Sequence, residues 1–172
     1  MAKQNSISII FSSICTSLIK KFGNPLVADF ACTKYGNKKQ DDDDLFMWIS
    51  HARHEIGVQP VHYEIRVDNN KLFVEVHVES EILFSCYSEV VNSIRIPLQD
   101  LVNQNKLELV SEPKKNNDSN YYWYKIPKQE LSLVNVNTQE EIDCLVDKIF
   151  DDLVELDNLV GKQIKQVIEK VI

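Results

Sequence analysis

A chain of 172 residues, 44% hydrophobic and 26% charged, is long enough to bury a core as one domain without disulfide or metal staples. Its net charge of −7 and pI near 5.1 argue against a general nucleic-acid binder, which gathers Lys and Arg against phosphate. No apolar run approaches the length of a bilayer crossing. The four cysteines, Cys15, Cys32, Cys86 and Cys144, form no CxxC pair, and scattered thiols suit a reducing cytoplasm where Cys acts as a small apolar side chain.

Residues 7–22 place Ile7, Ile10, Phe11, Ile14, Cys15, Leu18, Ile19 and Phe22 at three- and four-residue steps, the stripe of an amphipathic helix. Ser6 stands at the N-cap position, and Gly23-Asn24-Pro25 stops the helix. Lys3 ahead of this stretch imitates a signal peptide. However, four serines and a threonine interrupt residues 7–19, and no small-residue cleavage site follows. Residues 26–35 suit a short helix or a strand. Residues 36–44, GNKKQDDDD, lack the spaced oxygens, central Gly and closing Glu of an EF-hand and read as a solvated acidic loop. Residues 45–56 fit a helix that brings His51 near His54 and Glu55, or a strand with Trp48 and Ser50 on one face. No HExxH occurs there.

Residues 61–79, VHYEIRVDNNKLFVEVHVE, are two alternating runs joined by Asn69-Asn70. Asn tolerates the positive φ that a two-residue type I′ turn needs twice, so a hairpin is expected. That turn sets Val67 opposite Leu72, Arg66 opposite Phe73, Glu64 opposite Glu75 and His62 opposite His77. One face is then aliphatic. The other opposes two carboxylates and, one step along, two imidazoles, an unfavourable pairing of like groups unless something is bound between them. Imidazole and carboxylate are ligands for Zn or Mn, so His62, Glu64, Glu75 and His77 are the candidate metal set. The competing expectation is a solvated face with no cofactor, on which Arg66 and Lys71 relieve the acidic charge.

Residues 80–93 read as a helix with Ile82, Leu83, Cys86, Tyr87, Val90 and Val91 as its buried stripe. Pro97 interrupts it, leaving residues 98–102 as a short second piece. Residues 106–112 and 120–126 form a second expected hairpin around the loop 113–119. Its Tyr121-Tyr122-Trp123-Tyr124 run offers rings to both faces. Such rings either pack as core or stack on single-stranded bases with Lys114, Lys115 and Lys125 near the backbone. Arg66, Phe73, Tyr122, Trp123 and Tyr124 are therefore the candidate partner-binding residues. Residues 131–136 suit an edge strand. Thr138-Gln-Glu-Glu141 is a capping box, and apolar residues from Ile142 to Val171 continue at helical steps, as one helix or as two broken near residues 157–161. This stripe permits a coiled-coil dimer; packing on the sheet, with the tail against the first helix, is the alternative.

The expected fold is a single α+β domain. Its antiparallel sheet has four to five strands covered on one face by helices. It divides into a mainly helical segment 1–57, a sheet core 61–136 and a helical segment 138–172. With this order in view, HYEIRVDNNKLFVEVHVES, YYWYKIP and the helices after them resemble an uncharacterised domain found beside restriction-type nucleases and related bacterial defence proteins, over about residues 48–156. That resemblance implies an accessory role near DNA-processing partners and carries over no catalytic residue. The chain has no Gly-rich phosphate loop, no GxSxG and no Glu-x-Lys nuclease pattern near the hairpin. The first expectation is a cytoplasmic, non-catalytic interaction module whose partner is another protein or a second copy. The alternatives are a metal-dependent hydrolase or nuclease at the His/Glu face, and single-stranded nucleic-acid binding through residues 121–124.

Overall fold

Asn69 and Asn70 both adopt positive φ, 49° and 60°, the backbone a type I′ turn requires of its two central residues. The turn joins β3 (Val61–Asp68) to β4 (Lys71–Glu79), and the pairs Val67↔Leu72, Arg66↔Phe73, Glu64↔Glu75 and His62↔His77 are those the sequence predicts. The structure is a computed structural model in which residues 6–24, 30–37, 45–51, 61–79, 88–111 and 121–171 are described. The expected acidic loop beyond Asn37, His54, the stripe from Ile82 to Tyr87 and the loop 113–119 lie outside those residues.

The hairpin is the centre of a sheet wider than expected. The full order of elements is α1 (Ile7–Phe22), β1 (Phe30–Asn37), β2 (Leu45–His51), β3, β4, α2 (Ser88–Asn103), β5 (Glu108–Ser111), β6 (Tyr121–Lys125), β7 (Leu131–Ser132) and α3 (Gln139–Val171). Seven strands are present among the described residues, in the order β1-β2-β3-β4-β6-β5. The strand β7 is two residues long and pairs with Lys71 and Leu72 at the start of β4, while β6 pairs with its other end. All pairings are antiparallel. The two segments whose state the sequence leaves open are both strands, which accounts for the extra width.

One face of the sheet is aliphatic and carries the helices. Met47, Ile49, Tyr63, Ile65, Leu72, Val74, Val76 and Val78 are buried there, in one cluster with Ile14 and Leu18 of α1, Ile94 and Leu98 of α2, and Ile149, Leu153 and Leu156 of α3. The α3 stripe extends buried to Val160 and Ile164, and the helix is continuous, without the break near Gly161. Its start is the expected capping box: Glu141 N–H donates to Thr138 Oγ1 at 3.2 Å, and Thr138 N–H donates to Glu141 Oε2 at 2.9 Å. The backbone N–H groups of Asn137 and Thr138, both donating to its Oε2, hold the Glu141 carboxyl below the usual range. Contacts of α1 with α3 include Lys21–Asp147 at 2.6 Å and the Phe22–Phe150 rings. One expectation is corrected: α2 runs through Pro97 without ending. The missing N–H and the ring clash are local penalties, and burial of Val91, Ile94, Leu98 and Leu101 along one stripe outweighs them.

One polar bridge crosses the helix face. The Tyr63 hydroxyl donates to Asp157 Oδ1 at 2.6 Å, and His51 Nε2 lies 3.6 Å from Asp157 Oδ2. All three side chains are buried. Burial and the neighbouring Asp157 push the Tyr63 phenol well above its ordinary pKa. The bridge ties α3 to β3, and because it is buried, loss of one partner costs more there than in solvent. Asp157→Ala is expected to cost about 2–4 kcal/mol and Tyr63→Phe about 1 kcal/mol. Urea unfolding followed by far-UV circular dichroism measures both; three proteins of equal stability would remove the bridge as the anchor.

Candidate metal centre

The second face of the sheet is built in transverse rows. Antiparallel pairing lines up Phe46, Arg66 and Phe73 in one row, Lys34, Trp48, Glu64 and Glu75 in the next, and His62, His77 and Trp123 in the third. The face is far from solvated. Glu64, Glu75 and His77 are 1%, 0% and 1% exposed, and His62, Arg66 and Lys125 are buried with them.

The charged groups meet diagonally between rows. Arg66 donates from Nε and Nη2 to the two oxygens of Glu75, at 3.3 and 3.2 Å, a two-point grip that suits the planar guanidinium. Glu75 Oε2 lies 3.0 Å from His77 Nε2, and the other ring nitrogen, Nδ1, lies 3.1 Å from Glu64 Oε2. The Trp48 indole N–H donates to the same Glu64 oxygen at 2.8 Å, and His62 Nε2 stands 3.6 Å from it. Aromatic rings brace the set. Trp123 lies parallel to the His77 imidazole, 7° apart in plane and 5.1 Å between centroids, with the Arg66 guanidinium 5.0 Å from the indole centroid. Trp48 is 4.8 Å from His62, ring to ring.

These contacts set the protonation preferences. Burial pulls the His77 imidazole down, but Glu64 and Glu75 on its two nitrogens outweigh it and hold the pKa above 6.5. Burial pushes the Glu75 carboxyl up, and His77 with Arg66 reverse this to leave it below 4.5. Burial disfavours the Arg66 guanidinium, while Glu75 and Asp68 more than restore it. A proton on each nitrogen of His77 would set an imidazolium between the two carboxylates, where it balances them together with Arg66.

The four sequence-derived ligands divide into three and one. Among the described residues, donor atoms of His62, Glu64 and His77 all lie within 4.8 Å of one another. Glu75 is behind the His77 ring, on the nitrogen that faces away from Glu64, so it braces His77 and stands outside that group of three. Carboxylates in that position fix the tautomer and plane of a metal-binding imidazole. Of the candidate partner-binding residues, Tyr122 and Tyr124 belong to the core under the helices. Arg66, Phe73 and Trp123 stand on the second face, with Arg66 near the ring faces of the other two. Lys71 pairs with Glu130 at 2.9 Å and takes no part in the cluster. The sequence reading misses Trp48 as the Glu64 partner, since its row follows only once residues 45–51 are known to be a strand.

No protein-family model, curated protein or solved structure matches this chain.

The raised His77 pKa and lowered Glu75 pKa imply opposite pH limits for the metal-free protein. The His77 contribution is complete below about pH 6.5 and is lost as pH rises through the raised value; the Glu75 contribution is complete above about pH 4.5 and is lost as pH falls through the lowered value. Unfolding free energy in chelator is therefore expected to fall on the alkaline side. His77→Gln should flatten that fall. Urea titrations across about pH 5 to 9 test this, and an equally steep fall in the variant counts against it.

Proposed function

We propose that this protein binds one divalent cation of the Zn type through His62, Glu64 and His77. The observation that carries the reading is the pairing of three clustered donors with a support behind one of them. The donor atoms of the three residues converge, and the outward nitrogen of His77 is held by a carboxylate that Arg66 grips at two points. Two imidazoles and one carboxylate are a common ligand set for zinc, leaving a further position open. In a tetrahedral site with ordinary zinc bond lengths, neighbouring donors are about 3.4 Å apart. The Glu64–His77 and Glu64–His62 separations of 3.1 and 3.6 Å bracket that value. The three donor atoms lie within 4.8 Å of one another, and His62, the least buried of the three, is the one that would move to close the set. Trp48 orients the ligating carboxylate by its hydrogen bond.

The reading is of binding, not hydrolysis. A hydrolytic mechanism needs a carboxylate free to take a proton from metal-bound water. Glu75 is committed to Arg66 and His77 and held below the usual carboxylate range, which makes it a weak base. Purified protein stripped with chelator is expected to take up one equivalent of Zn²⁺ in calorimetry. His62→Ala and His77→Ala should abolish uptake, and Glu75→Gln should weaken it about 10–100-fold. Absence of uptake, or uptake unchanged in both histidine variants, would reject the reading.

Pairing with a second copy of the chain is a second reading, and one observation favours it. Among the described residues β1 is the terminal strand of the sheet. A groove lined by Ile19, Phe22, Phe30, Cys32 and Tyr35 runs beside it, with Tyr35 and Ile19 exposed. An edge strand paired antiparallel with its own copy is self-complementary, and a charge placed on the edge disrupts such pairing. Sedimentation equilibrium is expected to give a dimer mass for the native chain and a monomer mass for Tyr35→Lys; a native monomer would dispose of this reading.

A further inference from the structure

A groove of about 700 Å³ lies beside β5, at the sheet edge opposite β1. Val102 and Asn105 at the end of α2 line it, with Leu107, Leu109, Pro127 and Lys128. Leu109 is opposite Tyr124 in the β5–β6 pair, and Tyr124 belongs to the core under the helices. The apolar wall of the groove is therefore on the helix side of the sheet, away from the His/Glu rows.

Arg95 stands seven residues before Val102 on α2, two turns of helix, and so on the same side of it. Its guanidinium lies 3.7 Å from the centroid of the Tyr122 ring. Tyr122 is two residues from Tyr124 and on the same face of β6, so Arg95 is in line with the groove. The Arg95 Nε is buried without a hydrogen-bond partner, while the side chain as a whole is half-buried. Among the described residues it meets no carboxylate. Other partly buried cations do: Lys21 has Asp147, Arg66 has Glu75 and Lys125 has Glu108. The chain has 26 acidic side chains against 19 basic ones. An arginine stacked on a ring and left without an acid is set to receive one from outside.

We propose that α2 and β5 bind an aliphatic monocarboxylate of about eight to ten carbons, its carboxylate on Arg95 and its chain in the groove. Chain length follows from the two helical turns between Arg95 and Val102, roughly 10 Å. Tyr122 holds the guanidinium plane, so a bidentate carboxylate costs little further ordering. Lys128 also stands on the rim, but it is exposed, and a hydrated ammonium is the weaker anchor. This site does not depend on the metal reading.

Calorimetry of the full chain with sodium hexanoate, octanoate and decanoate at constant pH and ionic strength tests the proposal. Single-site binding is expected, tightening roughly fourfold for each added methylene. Arg95→Gln should weaken decanoate about 10-fold or more, Lys128→Gln should weaken it less, and 1-decanol should bind no better to the native chain than decanoate does to Arg95→Gln. No binding of any carboxylate overturns the proposal. So does affinity that ignores chain length, equal binding of decanol and decanoate, or a larger loss from Lys128→Gln than from Arg95→Gln. Far-UV circular dichroism checks that both variants fold. If Arg95→Gln does not, the chain-length series and the alcohol comparison, both made on the native chain, decide the matter.

Discussion

Two consecutive asparagines in left-handed backbone set the phase of the central strands, and every later feature depends on that phase. Most side chains resist positive φ, and Asn tolerates it because its short polar group interacts favourably with the local backbone. With Asn69 and Asn70 at 49° and 60°, β3 and β4 are locked in one register. A slip of a single residue in either strand would turn its side chains over. Glu64 or Glu75 would then face α3, and the Tyr63–Asp157 bridge would be lost with the aliphatic layer. The energetic gap between the two registers is thus large, because one face is mainly apolar and the other holds buried charged groups paired with one another.

Buried charges of this kind are weak evidence of stability. Removing an ion from water costs several kcal/mol even after relaxation, and apolar side chains of similar volume often serve folding as well or better. Here the cost is offset by a chain of close contacts: Arg66 to Glu75, Glu75 to His77, His77 beside Glu64, and the Trp48 indole to Glu64. The set is balanced when His77 carries two protons. Its Nδ1 proton and a divalent cation compete for one place between His77 and Glu64, since a ligating imidazole must give up the proton where the metal binds. Binding of the proposed cation would therefore call for little side-chain movement at Glu64 and His77, and more at His62.

Legibility in the sequence followed periodicity. Residues 61–79 alternate strictly, and a two-residue Asn turn leaves no freedom of register, so the pairs on both faces could be read directly. The helices α1 and α3 were legible for the same reason at their own period, and Thr138 with Glu141 marked the start of α3. Residues 45–51 were not legible. Leu45, Phe46, Met47 and Ile49 are all buried, with Trp48 half-buried between them, and a strand apolar on both faces loses the alternation that would identify it. That ambiguity hid Trp48 from the site and made the sheet look narrower. Pro97 misled for the opposite reason: a strong local signal was overruled by tertiary packing of α2. The division of labour between His77 and Glu75 was also out of reach, because alternation puts both on one face and says nothing about which ring nitrogen meets which carboxylate.

The two faces of the sheet are mechanically one object. Tyr63 and Ile65 fix β3 from the helix side, the first through Asp157 and the second by complete burial. The residues between and beside them, His62, Glu64 and Arg66, inherit that fixed backbone on the other side. Val76 does the same for Glu75 and His77 on β4. Donors carried on central strands move only if the layer behind them moves, and close packing there resists even small volume changes. The precision of the His/Glu cluster is thus a consequence of the aliphatic core. The long helix α3 has a part in it through a single buried aspartate on the opposite side of the sheet.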